Sequence, residues 1–310
     1  MLRPTSLVLS TLVATLCAAQ CVTSFPSTQN FTSGTVGTPG TLPSNWSNLG
    51  GDDLNWNVDN NGTNGGNMSI ATGPIGDHTS NNTGGKYMYV EADASGATPG
   101  KTAILQSQCW NIAGLTSPYL TFWYHMRGTQ MGSLTVDVDA NGSVTSNVWT
   151  QSGDHGLKWR QGWVNLAPWA GQTNLRVRFR AITGTGALSD IAIDDVEVRS
   201  LTPVPGCPDP LASNYNGAVN LNDGSCAYQC PTGQKRVTID IVNDNYAGET
   251  SWTLKNSADG TLLASGTSTG TSLCVPTSTC LVFRINDSAG DGIWHNSYGY
   301  GQYWVYLDGA

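Results

Sequence analysis

Residues 120–128, Leu-Thr-Phe-Trp-Tyr-His-Met-Arg-Gly, constrain the fold more than any other stretch of this 310-residue chain. Leu120, Phe122, Tyr124 and Met126 alternate with Thr121, Trp123, His125 and Arg127. A period of two marks a strand with two unlike faces. Leu134, Val136 and Val138 repeat that period, and Asn141-Gly142 then supplies the two positive-φ residues of a tight hairpin turn. Helical periodicity is nearly absent elsewhere. Only 12% of residues are charged and 9% are aromatic, which fits an all-β chain with many turns rather than a disordered one.

The same strand belongs to a longer series of motifs. Phe31-Thr-Ser-Gly, Trp56, Gly73-Pro74-Ile-Gly-Asp77-His78-Thr79, Gly85-Lys-Tyr87, Phe122-Trp-Tyr-His-Met126, Trp159, Val164-Asn-Leu166 and Ile191-Ala-Ile-Asp194-Asp195-Val196 follow one another in that order. Residues 21–199 thereby resemble MAM domains, extracellular adhesion modules. The resemblance implies a jelly-roll sandwich of the laminin-G or concanavalin-like kind. Such domains usually carry four cysteines, whereas only Cys21 and Cys109 fall inside the region, so a second bridge is expected to be absent.

The chain opens with Arg3, an apolar segment over 7–16 and small residues ahead of Gln20, the pattern of a secretory signal peptide over 1–19. A membrane-spanning helix needs about 20 apolar residues, and no later stretch approaches that. Loss of Arg3 takes the formal charge from −8 to −9, which disfavours nucleic acid as a partner. The expectation is an exported chain, extracellular or associated with a cell surface.

Three modules should follow the leader. A MAM-like domain spans 20–200 and a proline-bearing linker with a cysteine-rich module spans 201–232. A second β-sandwich spans 233–310. In the middle module, Cys207-Pro-Asp209-Pro and Asn222-Asp223-Gly224-Ser225-Cys226 resemble a short repeat of secreted bacterial proteins, and with so few apolar residues it needs a disulfide staple. In the third, Val237, Ile239 and Ile241, then Trp252 and Leu254, then Leu281, Phe283 and Ile285, then Tyr303, Val305 and Leu307 alternate, with Asp259-Gly260 as a hairpin turn. This module resembles a C-terminal domain of secreted bacterial proteins. Seven cysteines remain after the leader, and in an exported chain they form a disulfide framework. Segment membership pairs Cys21 with Cys109, Cys207 with Cys226 and Cys274 with Cys280. Cys230 is left over, and because the last strand stops at Asp308-Gly309-Ala310, a continuation holding its partner is expected.

The apolar phase slips at Asp194-Asp195: Ile191 and Ile193 share one parity, Val196 and Val198 the other, as at a β-bulge. Calcium takes six to eight oxygen ligands. In jelly-roll binding modules a similar strand helps to hold structural calcium, so the resemblance assigns Asp195 or Asp194 to a calcium site, with Asp52 or Asp53 as loop ligands. The competing reading is an edge strand protected by charge. Asp209 with Asp223, and Asp287 with Asp291, are second candidate calcium loops, although Asx-turns account for most such aspartates. Asp77-His78-Thr79 sits in a turn, where Asp77 and Thr79 bond the loop backbone and His78 packs locally. Arg176, Arg178 and Arg180 share a strand face, either simply solvated or a patch for anionic glycans.

These residues support an exported, non-enzymatic adhesion or matrix-binding protein, steadied by calcium, whose partner is an extracellular protein or glycan or a second copy of itself. One alternative is the accessory region of an exported peptidase or other hydrolase whose catalytic part lies outside this sequence. Another is a carbohydrate-binding module using Trp123 and Trp304 as surface aromatics, since each lies opposite an apolar set; the same placement equally fits the other half of a two-sided core.

Overall fold

The computed structural model describes residues 20–38, 40–60, 72–74, 76–80, 84–156, 158–209, 212–244, 246–295 and 299–307. The signal peptide over 1–19 and the terminal turn over 308–310 lie outside the described residues. Eleven strands form the first module: β1 (Ser27–Gln29), β2 (Ser47–Asn48), β3 (Asn57–Asp59), β4 (Tyr87–Val90), β5 (Thr102–Gln106), β6 (Pro118–Met126), β7 (Ser133–Ala140), β8 (Ser143–Ser152), β9 (Arg160–Asn165), β10 (Leu175–Ile182) and β11 (Ile191–Ser200). Two short strands follow, β12 (Pro205–Gly206) and β13 (Leu221–Asn222). The third module holds β14 (Gln234–Val242), β15 (Thr250–Asn256), β16 (Leu262–Gly266), β17 (Thr271–Pro276), β18 (Leu281–Asp287), β19 (Trp294–His295), β20 (Gly299–Tyr300) and β21 (Gln302–Leu307).

The first module is a jelly-roll sandwich of two antiparallel sheets, ordered β3-β4-β11-β6-β9, with β1 added on β11, and β2-β5-β10-β7-β8. Alternation puts Leu120, Phe122, Tyr124 and Met126 of β6 into one continuous core with Leu134, Val136 and Val138 of β7 and Leu175, Val177 and Phe179 of β10. The hairpin between β7 and β8 turns at Asn141 (φ +53°) and Gly142 (φ +88°), as the sequence predicts. The bulge is also present. Register between β11 and β6 shifts between Asp194 and Glu197, Asp195 adopts φ +44°, and Ile191, Ile193, Val196 and Val198 all reach the core. The sheet containing β6 is covered on its other face too, by a second cluster of Tyr87, Tyr89, Ala192 and Trp159. That is why the polar parity of β6 is buried, with His125 only 1% exposed.

The linker does not swing free: Leu201 N donates to the Ser117 carbonyl, and β12 pairs in parallel with β13. The second sandwich consists of the sheets β17-β14-β21 and β16-β15-β18, closed by Val237, Ile239, Ile241, Trp252, Leu254 and Val275. The predicted hairpin turn at Asp259-Gly260 joins β15 to β16, with Gly260 at φ +75°.

Disulfides join Cys21 to Cys109, Cys207 to Cys226 and Cys230 to Cys274. The last of these corrects the sequence-based pairing of Cys274 with Cys280. Cys230 lies just ahead of β14, and Cys274 pairs with Arg236 in the neighbouring β17, so strand register brings the two thiols together. Cys280 is the free, exposed cysteine among the described residues.

Candidate functional site

The motif residues of the first module converge on the bulge in β11. Its left-handed backbone at Asp195 aims two successive carboxylates at the turn over 76–80. Asp195 Oδ2 accepts from the Thr79 hydroxyl (2.6 Å) and meets His78 Nδ1 at 2.7 Å, while Asp194 Oδ2 accepts from His78 N at 2.8 Å. His78 stacks on Trp123 with ring centroids 3.7 Å apart, and Trp159 Nε1 donates to the Gly76 carbonyl. Asp77 accepts from Ser80 N and hydroxyl, capping the turn. A Cβ on Gly85 would lie 2.2 Å from the Asp77 carboxylate, which explains the glycine of Gly85-Lys-Tyr87.

The electrostatics follow from burial. Desolvation, and then the charge of Asp195, pushes the Asp194 carboxyl up to about 8, outweighing its two backbone donors. Asp195 is held below the usual carboxylate range: despite the opposing cost of burial, its hydrogen bonds from His78 and Thr79 win. A second buried pair lies where β4 ends and β11 begins. Glu91 is pushed up to about 9 by desolvation and by Asp190, and its Oε2 has no hydrogen-bond partner among the described residues. Asp190 accepts from Ala92 N at 2.8 Å and from the Thr72 hydroxyl.

The predicted calcium ligands of the first module are not brought together. Asp194 and Asp195 serve the His78 turn in one sheet. Asp52 accepts from Ile104 N (2.6 Å), and Asp53 accepts from Thr102 N (2.9 Å) and pairs with Lys101, both against β5 of the other sheet. The bulge is therefore a clamp between strand and loop, and Asp52 and Asp53 are engaged apart from it. Asp209 and Asp223 are likewise separately engaged, the first by the Tyr228 hydroxyl and the second by Ser225 N in an Asx-turn.

Asp287 and Asp291 are brought together, with a residue that the sequence reading missed. Glu249 joins them, and ligand oxygens of all three lie within 4.8 Å of one another. Glu249 lies just ahead of β15 while Asp287 ends β18, and the register pairing Thr250 with Asp287 makes them neighbours. The β15 and β18 alternation was the available signal. Desolvation, then Asp291, Asp287 and Asp244, raises the proton affinity of Glu249; Asp287 is lowered, chiefly by the Gly292 N–H. Three hard oxygen donors suit a cation of the calcium class.

The two tryptophans singled out as surface aromatics are both half-buried, each with one face stacked. Trp123 lies under His78, and Trp304 lies under Arg127, whose guanidinium carbon is 4.4 Å from the ring centroid while Nη1 donates to Gln302 at 3.1 Å. Two of the three arginines on the β10 face are ion-paired, Arg178 with Asp139 (2.6 Å) and Arg180 with Asp137 (3.1 Å), while Arg176 donates to the Ser107 carbonyl. Contacts between modules include an ion pair of Lys158 with Asp240 and a bond from Trp163 Nε1 to the Asn222 carbonyl.

Fold and site together define a disulfide-bonded jelly-roll protein whose signature loop is clamped onto a two-faced sheet. A model of the MAM domain, meprin/A5/mu, matches residues 36–203, and the chain belongs to this family. It is 31% identical over 159 residues to Neuropilin-1a of Danio rerio, a match covering 50% of this chain and 16% of that protein. It is 34% identical over 181 residues to MAM domain-containing glycosylphosphatidylinositol anchor protein 1 of Gallus gallus, covering 56% and 18% respectively. The chain thus spans under a fifth of the length of these curated relatives. Among solved structures, the K1 cleaved adhesin domain of Lys-gingipain from Porphyromonas gingivalis W83 aligns with 16% identity and a TM-score of 0.39, over 58% of this chain and 100% of that one. No helix among the described residues is long and apolar enough to cross a membrane.

Proposed function

We propose that the protein is an exported, non-enzymatic adhesion or matrix-binding protein that works outside the cell or at its surface. The observation that carries this reading is the set of three disulfides, in a chain that belongs to the MAM family. Such bridges persist in oxidising compartments, and the leader pattern over 1–19 agrees. The His78, Asp77 and Asp195 side chains, which could suggest a catalytic pair, are engaged with one another and with their turn. The polar contacts between modules suit a chain that presents its surface as one body to an extracellular protein, a glycan or a second copy. The relatives' names include a glycosylphosphatidylinositol anchor protein, in line with work at a cell surface. The test is binding of the purified chain to immobilised matrix and to cell monolayers. Saturable binding supports the reading, and a chain retained in the cytoplasm of its own host sinks it.

Calcium belongs to the same proposal, at Glu249, Asp287 and Asp291 rather than at the bulge. A cation there relieves the mutual repulsion of the three carboxylates and ties the lead-in of β15 to the end of β18. A ligand bound only by the native state raises stability. Millimolar calcium should therefore raise the melting temperature of the full chain, and Asp287→Asn should abolish the rise; an unmoved melting temperature refutes the site.

A further inference from the structure

A cleft of about 730 Å³ opens where the large sandwich meets the cysteine-rich module. β8 ends one sheet of the sandwich and β9 ends the other, so the cleft runs between two edge strands. Its third wall, at Asn222 to Gly224, comes from the small module. Two bonds set that wall: Asn222 N donates to Gln161 Oε1 at 3.1 Å, and Trp163 Nε1 donates to the Asn222 carbonyl at 2.9 Å. Trp149, Trp163 and Trp169 line the space together with Gln151, Arg160 and Asp223.

These walls combine flat apolar rings with hydrogen-bonding groups of both kinds. Trp149 is fixed edge-on by Phe122 (4.9 Å, 82°) and Tyr124 (5.1 Å, 69°), and Arg160 is fixed by the bond from Nε to the His155 carbonyl at 2.7 Å. Ligand sites typically have about 300–1,000 Å³, mostly apolar walls and a few placed polar groups. Half-buried indoles with wet edges favour ligands that are apolar on one side and polar on the other. A pyranose ring is such a ligand, with C–H groups on its faces and hydroxyls around its rim. Arg160 and Asp223 offset each other in charge, so nothing selects an anion.

We propose that this cleft binds a neutral oligosaccharide, its sugar faces on the indoles and its hydroxyls on Gln151, Arg160 and Asp223. The proposal rests on the reading of an extracellular binding protein and deepens it by naming a ligand class and a site. Because one wall belongs to the cysteine-rich module, the site needs both modules in place.

The full chain should be titrated calorimetrically with cellotetraose, xylotetraose and tetra-N-acetylchitotetraose, and screened on an array of neutral glycans. Saturable binding of at least one glycan is expected. Trp169→Ala and Gln151→Ala should each weaken it roughly tenfold or more, as for contacts that carry a ligand's orientation. Gln151 is half-buried and polar, so its variant keeps the fold where an indole variant could lose it; circular dichroism checks both. Cys280→Ser, which changes a free, exposed thiol of the third module that is not among the cleft residues, should leave binding unchanged. Absence of saturable binding across the array, binding that both cleft variants leave intact, or capture of peptides alone overturns the proposal. Adhesion that survives enzymatic deglycosylation of the target surface, with no glycan bound in solution, would remove the cleft and leave the adhesive reading standing.

Discussion

The two sandwiches are built from the same alternating strands, yet the first seals the inward residues of its central strands while the second leaves a row of inward residues open along a side. In the first, Leu175, Val177, Phe179 and Ala181 of β10 are all 0% exposed because strands flank β10 on both sides and the second sheet covers it. In the second, Tyr303, Val305 and Leu307 of β21 stand opposite Ile241, Ile239 and Val237 of β14, hence on the same core-facing side. They nevertheless remain 45%, 39% and 47% exposed. β21 ends its sheet and β18 ends the facing one, and the contact of Phe283 with Tyr303 (5.3 Å) shows that these two edges lie on one side. Alternation decides which way a side chain points. Burial also requires neighbouring strands.

The comparison can be broken most forcefully by truncating one aromatic in each core. Phe122→Ala removes a fully buried ring packed on Tyr124, Trp149 and Phe179 and should cost about 3–5 kcal/mol in urea unfolding. Phe283→Ala, at the open side, should cost only about 1–2 kcal/mol; equal costs would erase the distinction. The second sandwich depends more on its staple, so Cys230→Ser with Cys274→Ser should lose roughly 2–4 kcal/mol, whereas Cys280→Ser stays within about 0.5 kcal/mol. Thiol titration of the native chain should find Cys280 reactive.

Acidity sharpens the contrast further. Asp194 and Glu91 have raised proton affinity in the folded first module, at about 8 and about 9 against ordinary values of 3.8 and 4.5. The folded state then holds protons that the unfolded chain releases. Their contribution to stability is fully present below about pH 4 and is lost as pH rises through 8 and 9. Stability of the first module should therefore fall by more than about 1 kcal/mol between pH 5 and 8, and Glu91→Gln should flatten that slope. Asp195 works the other way, its contribution being lost as pH falls below 3.8. The smallest effect belongs to the open edge: Val305→Thr should change stability by less than about 1 kcal/mol, while Val177→Thr, buried beside Phe179, should cost more.

Much of the first module was legible because its signals are local. The period of β6, the Asn141-Gly142 turn and the parity slip at Asp194-Asp195 each need only a few residues. What the β6 period leaves open is whether its second parity faces solvent or a second layer, and only placing the turn that carries His78 decides it for Trp123 and His125. For Trp304, the arginine stacked on its ring comes from another module, which local alternation does not register. Cys230 with Cys274, and Glu249 with Asp287, are products of strand register. Segment membership misassigned the first pair, and the second joins residues far apart in the chain.

The most direct test of the closed-against-open account is hydrogen exchange of the intact chain, followed by mass spectrometry of peptides from β6, β10 and β11 against those from β18 and β21. The account expects the first set to exchange at least about 100-fold more slowly, since opening free energies follow buried contacts. Equal protection of the two sets, or faster exchange in β10 than in β21, would contradict it.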